Sequence, residues 1–290
     1  MSNVIIIGSG PAGISAALYT TRAGIDTIVI GKDYGALQKA SEIENYYGFP
    51  NPISGKQLIE GGMEQAKRLG AKILSDEVVG LSYDEKLLVL TKDGEYSGDS
   101  VVIATGTSRS TPRIKGLKEY EGHGVSYCAV CDAFFYRGKD VAVLGNGEYA
   151  LHEALELLST SSSVTILTNG KELTTNVPSN INVNTDVIEA FSGSEILKKV
   201  IFQNGNSMNI SGLFVAVGVA GSTDLAKKIG ASTENNRILV DSNMATNIPG
   251  LYAAGDCTGG LLQISKAVYE GAKAGSEIVK YIRSINKKSA

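Results

Sequence analysis

A glycine-rich turn near the N-terminus constrains the fold of this chain more than any other feature. Residues 4–7 form a continuous apolar run that is typical of a buried parallel strand, and helical spacing of apolar side chains begins at Ile14. Between them lies Gly-Ser-Gly-Pro-Ala-Gly, residues 8–13, in which Pro11 suits a first helical turn. A second apolar run follows at residues 27–30. This order predicts a βαβ unit whose glycines allow a tight turn, close approach of a dinucleotide pyrophosphate and close helix packing.

A second unit of the same kind follows later in the chain. Residues 141–144 predict a strand, residues 145–150 form a GxGxxA turn, and a helix and another strand at 164–167 come next. A further strand ends in Gly255-Asp256, where a carboxylate can accept hydrogen bonds from ligand hydroxyls or cap a helix. Two dinucleotide-type units predict an α/β protein with two Rossmann-like domains of the three-layer ββα type.

The first unit lacks one expected group. A carboxylate about 20 residues after the glycines commonly holds the adenosine ribose of a bound dinucleotide. Here the second strand ends in Gly31-Lys32, and the nearest carboxylate is Asp33. The sequence does not assign the ribose contact.

Composition excludes several classes of protein. The chain has 290 residues, of which 43% are hydrophobic and 20% charged, so it is long enough for two domains with their own cores. The net charge of -3, the absence of tryptophan and the absence of a basic block argue against a nucleic-acid partner. No apolar run approaches membrane-spanning length, and the N-terminus has no targeting pattern. We expect a cytoplasmic protein without a membrane partner.

Two of the three cysteines stand in Cys128-Ala-Val-Cys131-Asp132. A CxxC pair in a reducing compartment indicates either catalysis or a metal site. The other cysteine and histidine residues are Cys257, His123 and His152. None of them forms a second paired spacing, so we predict no metal site and a thiol-disulfide function instead.

The motifs together resemble the low-molecular-weight thioredoxin reductases over essentially the whole chain. The motifs, in this order, are residues 8–13, Ile-Ala-Thr-Gly at 103–106, Cys-Ala-Val-Cys-Asp at 128–132, GxGxxA at 145–150 and Ala-Ala-Gly-Asp at 253–256. The resemblance implies a discontinuous FAD domain formed by residues 1–113 and 244–290. A redox-active domain resembling a degenerate NADPH-binding domain would be inserted at residues 114–243.

The resemblance also implies an FAD site. Its residues would be Gly8, Gly10, Pro11, Ala12, Gly13, Asn45, Ala104, Thr105, Gly106, Gly255, Asp256 and Gln263. The three glycines of the first turn would hold the pyrophosphate, and Asp256 would bind a ribityl hydroxyl. Asn45 and Gln263 would lie near the flavin ring, although the family commonly has Arg-Gln-Ala where this chain has Leu-Gln-Ile.

The same resemblance assigns roles to the redox residues. Cys131 would face the flavin, and Cys128 would attack the disulfide of a thioredoxin. Asp132 would act as the acid or base that exchanges a proton with the thiols. The family further suggests a homodimer.

The second glycine turn lacks the groups that bind a pyridine nucleotide. NADPH enzymes of this family carry H-R-R-x-x-x-R after the following strand, whereas residues 168–174 read Thr-Asn-Gly-Lys-Glu-Leu-Thr. Nor does the strand end supply the carboxylate that NADH would need. Glu148, in the glycine turn, would repel a pyrophosphate, or it simply favours a helix N-terminus. We therefore expect no bound NAD(P)H.

Ferredoxin-dependent flavin thioredoxin reductases share this profile, which makes reduced ferredoxin the expected electron donor. Two alternatives remain open. The surviving GxGxxA turn allows an NAD(P)H-dependent reductase with an atypical nucleotide site. The eroded donor domain also allows a flavin-bound redox sensor that does not turn over.

Overall fold

The computed structural model describes residues 3–107 and 112–288. Its strands are β1 (Asn3–Ile7), β2 (Asp26–Ile30), β3 (Lys72–Leu74), β4 (Val78–Asp84), β5 (Lys86–Thr91), β6 (Glu95–Gly98), β7 (Ser100–Ile103), β8 (Val125–Ser126), β9 (Asp140–Leu144), β10 (Ser163–Leu167), β11 (Asn182–Asn184), β12 (Ile188–Gly193), β13 (Leu197–Phe202), β14 (Ser207–Asn209), β15 (Gly212–Val215), β16 (Thr233–Glu234), β17 (Arg237–Ile238) and β18 (Leu251–Ala253).

The helices follow the predicted periodicities. They are α1 (Pro11–Arg22), α2 (Gly55–Arg68), α3 (Ala129–Asp132), α4 (Glu148–Leu158), α5 (Ser222–Lys228) and α6 (Ile264–Lys288), with short 3-10 helices at Ala36–Lys39, Ala133–Tyr136 and Asp256–Thr258. Helix α2 begins with a capping box, since Ser54 and Gln57 each bond to the other's backbone. None of the described helices is both long and apolar enough to span a lipid bilayer.

The chain divides into two compact units. The first comprises Met1–Ser108 and Gly221–Ala290, and the second comprises Arg109–Ala220. The second unit is thus inserted into a discontinuous first unit. Its second boundary lies at residue 220, whereas the sequence analysis places the end of the inserted domain at residue 243.

The packing of α5 explains this boundary. The helix contacts β4, β16 and β17, and β17 contacts the 3-10 helix Asp256–Thr258, so its main contacts lie in the first unit. Asn247 also binds this segment, because its side chain accepts from the Ser232 amide and donates to the Gly230 carbonyl. The segment from 221 to 243 is therefore part of the first unit.

The first unit is built on a five-stranded parallel sheet with the order β18-β7-β1-β2-β3. All five strands end at the same edge, so the turn after β1 and the loops after β2, β7 and β18 meet there. The expected FAD-site residues at positions 8–13, 104–106 and 255–256 follow these strands directly.

Alternation along β1 separates two layers. Val4 and Ile6 belong to the core formed with α1 and α6, whereas Ile5 lies against Gly98 of the antiparallel sheet β4-β5-β6. Helix α6 packs closely on α1, because Gly271 touches the carbonyl of Ala12 so tightly that a Cβ there would overlap it. This is the predicted three-layer ββα arrangement.

The second unit repeats the plan. Its parallel sheet has the order β11-β10-β9-β15-β8, with α4 packed against β9 and β10. A three-stranded antiparallel sheet, β12-β13-β14, shares a core with Ala142 and Leu144 of β9. A hairpin with Asn204-Gly205 in its turn joins β13 and β14. The prediction of an α/β protein with two Rossmann-like units is thus confirmed.

Candidate active site

The two cysteines of the CxxC motif form a disulfide at the start of α3. Cys128 is the N-cap residue, and the backbone N–H of Cys131 donates to its sulfur over 3.2 Å. A donor aimed at a sulfur favours its thiolate once the disulfide is reduced. Cys128 is buried, 4% exposed, whereas Cys131 is exposed. The two sulfurs therefore lie in different environments.

Asp132 is held by a residue that the sequence analysis did not single out. Ser126, at the end of β8, donates its hydroxyl to Asp132 Oδ2 over 2.6 Å. The same hydroxyl oxygen accepts from the Cys128 amide over 3.1 Å. Burial, together with the negative charge of Asp132, raises the pKa of nearby Tyr136. Ser126 thus fixes the carboxylate beside the cysteine pair.

A buried carboxylate also binds the backbone of the turn that contains the two cysteines. Glu153 on α4 is 1% exposed and accepts a hydrogen bond from the Ala129 amide over 2.7 Å. The amide at the start of a helix has no partner within the helix, so a side-chain acceptor stabilises it. This contact joins the turn that carries Cys128 and Cys131, here called the redox turn, to α4, which follows the second glycine turn.

The surface around the cysteines is apolar. Val130, Phe134 and Phe135 are 52%, 71% and 67% exposed, and Arg137 lies over the Phe134 ring at 5.6 Å. Three large apolar side chains beside a redox pair indicate a surface that contacts another protein.

The first glycine turn fits a dinucleotide pyrophosphate. Gly8 has φ +113° and touches the Ala104 carbonyl, and Gly13 touches the Gly8 carbonyl; neither position has space for a Cβ. By contrast, no atom lies within 4 Å of a Cβ built on Gly10, so the turn is open on that side. Helix α1 begins at Pro11 without a side-chain cap, which leaves first-turn amides such as that of Ala12 for an anion.

The loop after β7 lies beside the first glycine turn, at the same edge of the parallel sheet. Ala104 is buried, and its amide donates to the Ile7 carbonyl over 2.8 Å, which holds the loop beside the glycine turn. Thr105 and Gly106 follow, and Gly106 has φ +76° in open surroundings. The sequence-predicted residues of β1 and β7 are therefore brought together.

The Gly255-Asp256 loop is held by a buried ion pair on α6. Glu270 accepts from the Gly255 amide over 2.8 Å, and Lys266 donates to the Gly255 carbonyl over 2.7 Å. The two side chains also pair with each other at 2.9 Å. Burial raises the pKa of Asp256, an increase that Lys266 opposes and Glu270 reinforces. Gly255 has φ +89°, a conformation that glycine adopts without strain.

Asn45 and Gln263 are also brought together. The Asn45 side-chain amide donates to Gln263 Oε1 over 2.9 Å, although 218 positions separate the two residues. This pair joins the loop after the first 3-10 helix to the start of α6. It is the arrangement expected if both residues lie near one ligand.

The second glycine turn, by contrast, is occupied by the chain itself. Residues 172–174, here called the strap, cross it. Asn146 donates its side-chain amide to the Glu172 carbonyl over 2.8 Å, and the Thr174 amide donates to the Asn146 carbonyl over 2.8 Å. A Cβ on Gly147 would lie 3.1 Å from Thr174 Oγ1. The strap therefore lies against the second glycine of this turn.

The end of β10 is closed as well. Asn169 has φ +54°, and its side chain accepts from the Ile188 amide over 2.7 Å. The Gly170 amide donates to the Thr185 carbonyl over 3.0 Å. These groups bind neighbouring backbone where a nucleotide ribose would need side chains.

Across the two described ranges, no group of three or more histidine, cysteine or acidic side chains has metal-site geometry. Cys257, the third cysteine, is fully buried, with its sulfur 3.3 Å from the Ala254 carbonyl.

Comparisons with known proteins agree on one family. A family model for pyridine nucleotide-disulphide oxidoreductases matches residues 2–271. Thioredoxin reductase from Rickettsia prowazekii is 34% identical over 304 residues, covering 97% of this chain and 98% of that protein. That of Aquifex aeolicus is 32% identical and covers 97% and 93%.

Solved structures extend the comparison. The atypical thioredoxin reductase TRi from Desulfovibrio vulgaris Hildenborough has a TM-score of 0.92 and 41% identity, covering 98% of this chain and 99% of that one. A ferredoxin-flavin thioredoxin reductase from Clostridium acetobutylicum has a TM-score of 0.71 and 31% identity, with coverage of 97% and 98%.

Proposed function

Because the chain belongs to the pyridine nucleotide-disulphide oxidoreductases and, within them, to the low-molecular-weight thioredoxin reductases, we propose that it reduces thioredoxin through Cys128 and Cys131. Its electrons would come from reduced ferredoxin by way of FAD. The observation that supports the donor assignment is the strap across the second glycine turn, which binds Asn146 on the turn where the pyrophosphate of a nicotinamide nucleotide would bind.

The first unit supports FAD as the resident cofactor. The open side of Gly10 and the uncapped start of α1 accommodate a pyrophosphate, and Asp256 lies on the same sheet edge. When bound, FAD supplies the electron pair that opens the Cys128-Cys131 disulfide. Asn45 and Gln263 would orient the flavin, and the Glu270-Lys266 pair positions the Gly255-Asp256 loop.

The chemistry of the cysteines follows from their surroundings. Opening the disulfide takes up two electrons and two protons, and Asp132, oriented by Ser126, exchanges a proton at the sulfurs. Cys128 then attacks one sulfur of the thioredoxin disulfide as a thiolate, which the Cys131 amide stabilises. Cys131 next attacks the Cys128 sulfur, releases reduced thioredoxin and restores the disulfide. Because Cys128 is buried here, this exchange requires a state in which its sulfur is more exposed.

The exposed apolar side chains near the disulfide support a protein substrate. Val130, Phe134 and Phe135 offer a surface that a small disulfide reagent would not need. We further propose a homodimer in the cytoplasm, as is common in the family.

Three properties favour ferredoxin over NAD(P)H as the electron donor. The strap fills the glycine turn, Asn169 closes the end of β10, and residues 168–174 carry no arginine to pair with a 2'-phosphate. In addition, a solved structure that is 31% identical and covers 97% of this chain is a ferredoxin-flavin thioredoxin reductase. The second candidate, an NAD(P)H-dependent reductase, rests on the family model and on the intact Gly145 turn, where a Cβ would overlap the Ala216 carbonyl.

An anaerobic titration tests the donor. The flavin absorbance of the holoenzyme is followed while NADPH, NADH and reduced ferredoxin are added in turn. We expect reduced ferredoxin to bleach the flavin and to support steady reduction of thioredoxin, and both nucleotides to leave it oxidised. The control is the same NADPH stock acting on an NADPH-dependent thioredoxin reductase.

The alternatives give different results in the same experiment. Rapid bleaching by NADPH or NADH, with no reaction from ferredoxin, establishes the atypical nucleotide enzyme. Flavin reduction without any turnover of thioredoxin establishes a redox sensor.

A further inference from the structure

Glu77 carries a buried carboxylate oxygen for which the fold provides no partner. The side chain lies in the short segment between β3 and β4 and is 7% exposed. Its Oε2 forms an ion pair with Lys32, whereas its Oε1 has no hydrogen-bond partner among the residues that the structure describes. A buried, unsatisfied carboxylate oxygen costs free energy, so such atoms in native proteins call for an explanation.

The position of this carboxylate is specific. Lys32 follows the end of β2, and the Gly31 amide donates to the carbonyl of Leu74, the last residue of β3, over 3.0 Å. Glu77 lies three residues beyond Leu74 and pairs with Lys32, so the pair belongs to the carboxyl edge of the parallel sheet.

The same edge holds the first glycine turn. A Cβ on Gly31 would lie 2.6 Å from the Ser9 hydroxyl, and that hydroxyl donates to the Asp33 carbonyl over 3.2 Å. The end of β2 is thus packed against the turn that accommodates the pyrophosphate. In dinucleotide-binding units the adenosine ribose lies beside the end of β2, where a carboxylate accepts from its hydroxyls.

This chain has no such carboxylate on β2. The nearest one in sequence, Asp33, is exposed and accepts a hydrogen bond from the Gly35 amide over 2.7 Å, so it serves the local turn. Lys32, which follows Gly31, is only a hydrogen-bond donor and cannot accept a bond from a ribose hydroxyl. Glu77 supplies the missing chemical group from a different element.

We propose that Glu77 Oε1 accepts a hydrogen bond from a ribose hydroxyl of the FAD adenosine, and that Lys32, through its ion pair with Oε2, holds Glu77 oriented for this contact. The inference rests on the FAD cofactor of the proposed function and adds a recognition residue for its adenosine half. The backbone of Glu77 is fixed on both sides, since its amide donates to Asp76 Oδ1 and its carbonyl accepts from the Lys92 amide. A fixed acceptor loses little conformational entropy on binding.

Binding of FAD and FMN to the full-length protein tests the proposal, because FMN lacks the adenosine. The protein is stripped of flavin, checked for retained fold by circular dichroism, and titrated with each flavin. We expect Glu77→Gln to weaken FAD binding about tenfold or more and to leave FMN binding within about twofold. The matched control is Asp33→Asn, which should bind both flavins like the wild type.

Further variants separate the hydroxyl contact from a charge effect. The double variant Lys32→Met with Glu77→Gln has no unpaired lysine and should stay as weak for FAD as Glu77→Gln alone. Recovery of wild-type FAD affinity in the double variant would overturn the proposal, because the loss would then come from the bare lysine. Equal FAD affinity in Glu77→Gln and wild type, an equal loss for FMN, or a loss in Asp33→Asn alone would also overturn it.

One measurement does not depend on the folding of any variant. Wild-type protein should bind FAD that carries 2',3'-dideoxyadenosine about tenfold more weakly than FAD, and equal binding contradicts the proposal. If the wild-type protein binds no FAD at all, the proposed function itself fails. If it binds FAD and Glu77→Gln binds it equally well, only the present inference fails.

Discussion

Cys128 and Cys131 are unequal in ways that a CxxC motif alone does not specify. Cys128 is buried and accepts a hydrogen bond from the Cys131 amide, whereas Cys131 is exposed. The amide would favour a thiolate on Cys128. The assignment of Cys128 to the attack on the partner, made on resemblance, therefore gains a physical reason.

Trapping of the mixed disulfide checks that assignment. Thioredoxin with one active-site cysteine, activated by thionitrobenzoate, is mixed with each reduced single variant. We expect Cys131→Ser to form a stable adduct through Cys128, and Cys128→Ser to keep flavin reduction but lose transfer to thioredoxin. Non-reducing electrophoresis detects the adduct, and preferential trapping by Cys128→Ser would exchange the two roles.

Glu153 illustrates a residue whose role sequence reasoning missed. The spacing of Leu151, Leu155 and Leu158 predicts α4, but Leu155 is exposed, and the buried face instead carries Glu153 between Ala150 and Leu157. One sequence signal could have indicated a buried Glu153, because this acid stands at helical spacing from the small apolar residues of the buried face. Its partner, the Ala129 amide, could not be inferred because it comes from a distant part of the chain.

Removal of this carboxylate should destabilise the protein. Glu153→Ala leaves the buried Ala129 amide unsatisfied, so we expect the free energy of unfolding to fall by about 1–3 kcal/mol. Urea denaturation followed by circular dichroism measures the change. The control is Glu156→Ala on the same helix, where the exposed side chain makes only a long contact of 3.9 Å with His152. Equal losses in both variants would contradict the role given to Glu153.

Cys257 should be chemically silent in the folded protein. Burial raises the pKa of its thiol to about 12, and the side chain is inaccessible to solvent. At pH 8 the thiol is therefore protonated and shielded. We expect Ellman's reagent to detect no thiol in the native oxidised protein and about one per chain after unfolding in guanidinium. Rapid labelling of the native protein would show that the thiol is accessible.

At the level of elements, the two glycine turns lie at equivalent places in the two units, but only the second is crossed by the strap. Both follow a central parallel strand and begin a helix, and the sequence predicted both correctly. The strap was not predicted, because Glu172 and Thr174 bind Asn146 through backbone groups that carry no sequence signature. What the sequence did show was the loss of nucleotide-binding side chains in this segment.

Replacement of two glycines of the first turn by alanine should affect different properties, namely stability at Gly13 and FAD binding at Gly10. A Cβ on Gly13 would overlap the Gly8 carbonyl, so Gly13→Ala should lower the free energy of unfolding by about 1–3 kcal/mol. Gly10 has an ordinary φ of -75° and open space around it, so Gly10→Ala should fold normally. The added methyl group nevertheless lies where the pyrophosphate approaches, and we expect FAD binding to weaken about tenfold.

Thermal unfolding and FAD titration of the two variants distinguish these outcomes. Wild-type FAD affinity in Gly10→Ala would show that the pyrophosphate does not use this side of the turn. An unchanged unfolding temperature in Gly13→Ala would show that the helix can move away from the strand at little cost.

At the scale of the whole molecule, the redox capacity follows from the two groups that the units carry. FAD and the Cys128-Cys131 disulfide each accept an electron pair, so complete reduction should consume about four electrons per chain. The variant with both Cys128→Ser and Cys131→Ser should consume about two. An anaerobic dithionite titration of the flavin spectrum gives both numbers, and equal consumption would mean that the disulfide is not in exchange with the flavin.

The extent of the inserted unit depends on contacts that the sequence does not show. Recognisable motifs predicted the inserted unit, but the segment from 221 to 243 carries none of them, and its membership depends on long-range packing of α5 against β4. Such contacts are set by tertiary structure and leave no local pattern. The same limit explains why Ser126, Glu77 and Glu270 emerged only from the structure.

The discontinuity of the first unit has a consequence for biosynthesis. The sheet that begins with β1 needs β18 at its edge, where Leu251 pairs with Val101 of β7. Helix α1 packs on α6, which lies more than 200 positions further along the chain. The inserted unit is contiguous and can fold as soon as the ribosome has released it. We therefore expect the redox turn to form on the nascent chain well before the flavin cradle closes. Incorporation of FAD would then be a late, post-translational event, and a chain truncated before α6 would carry a folded CxxC unit with no electron supply.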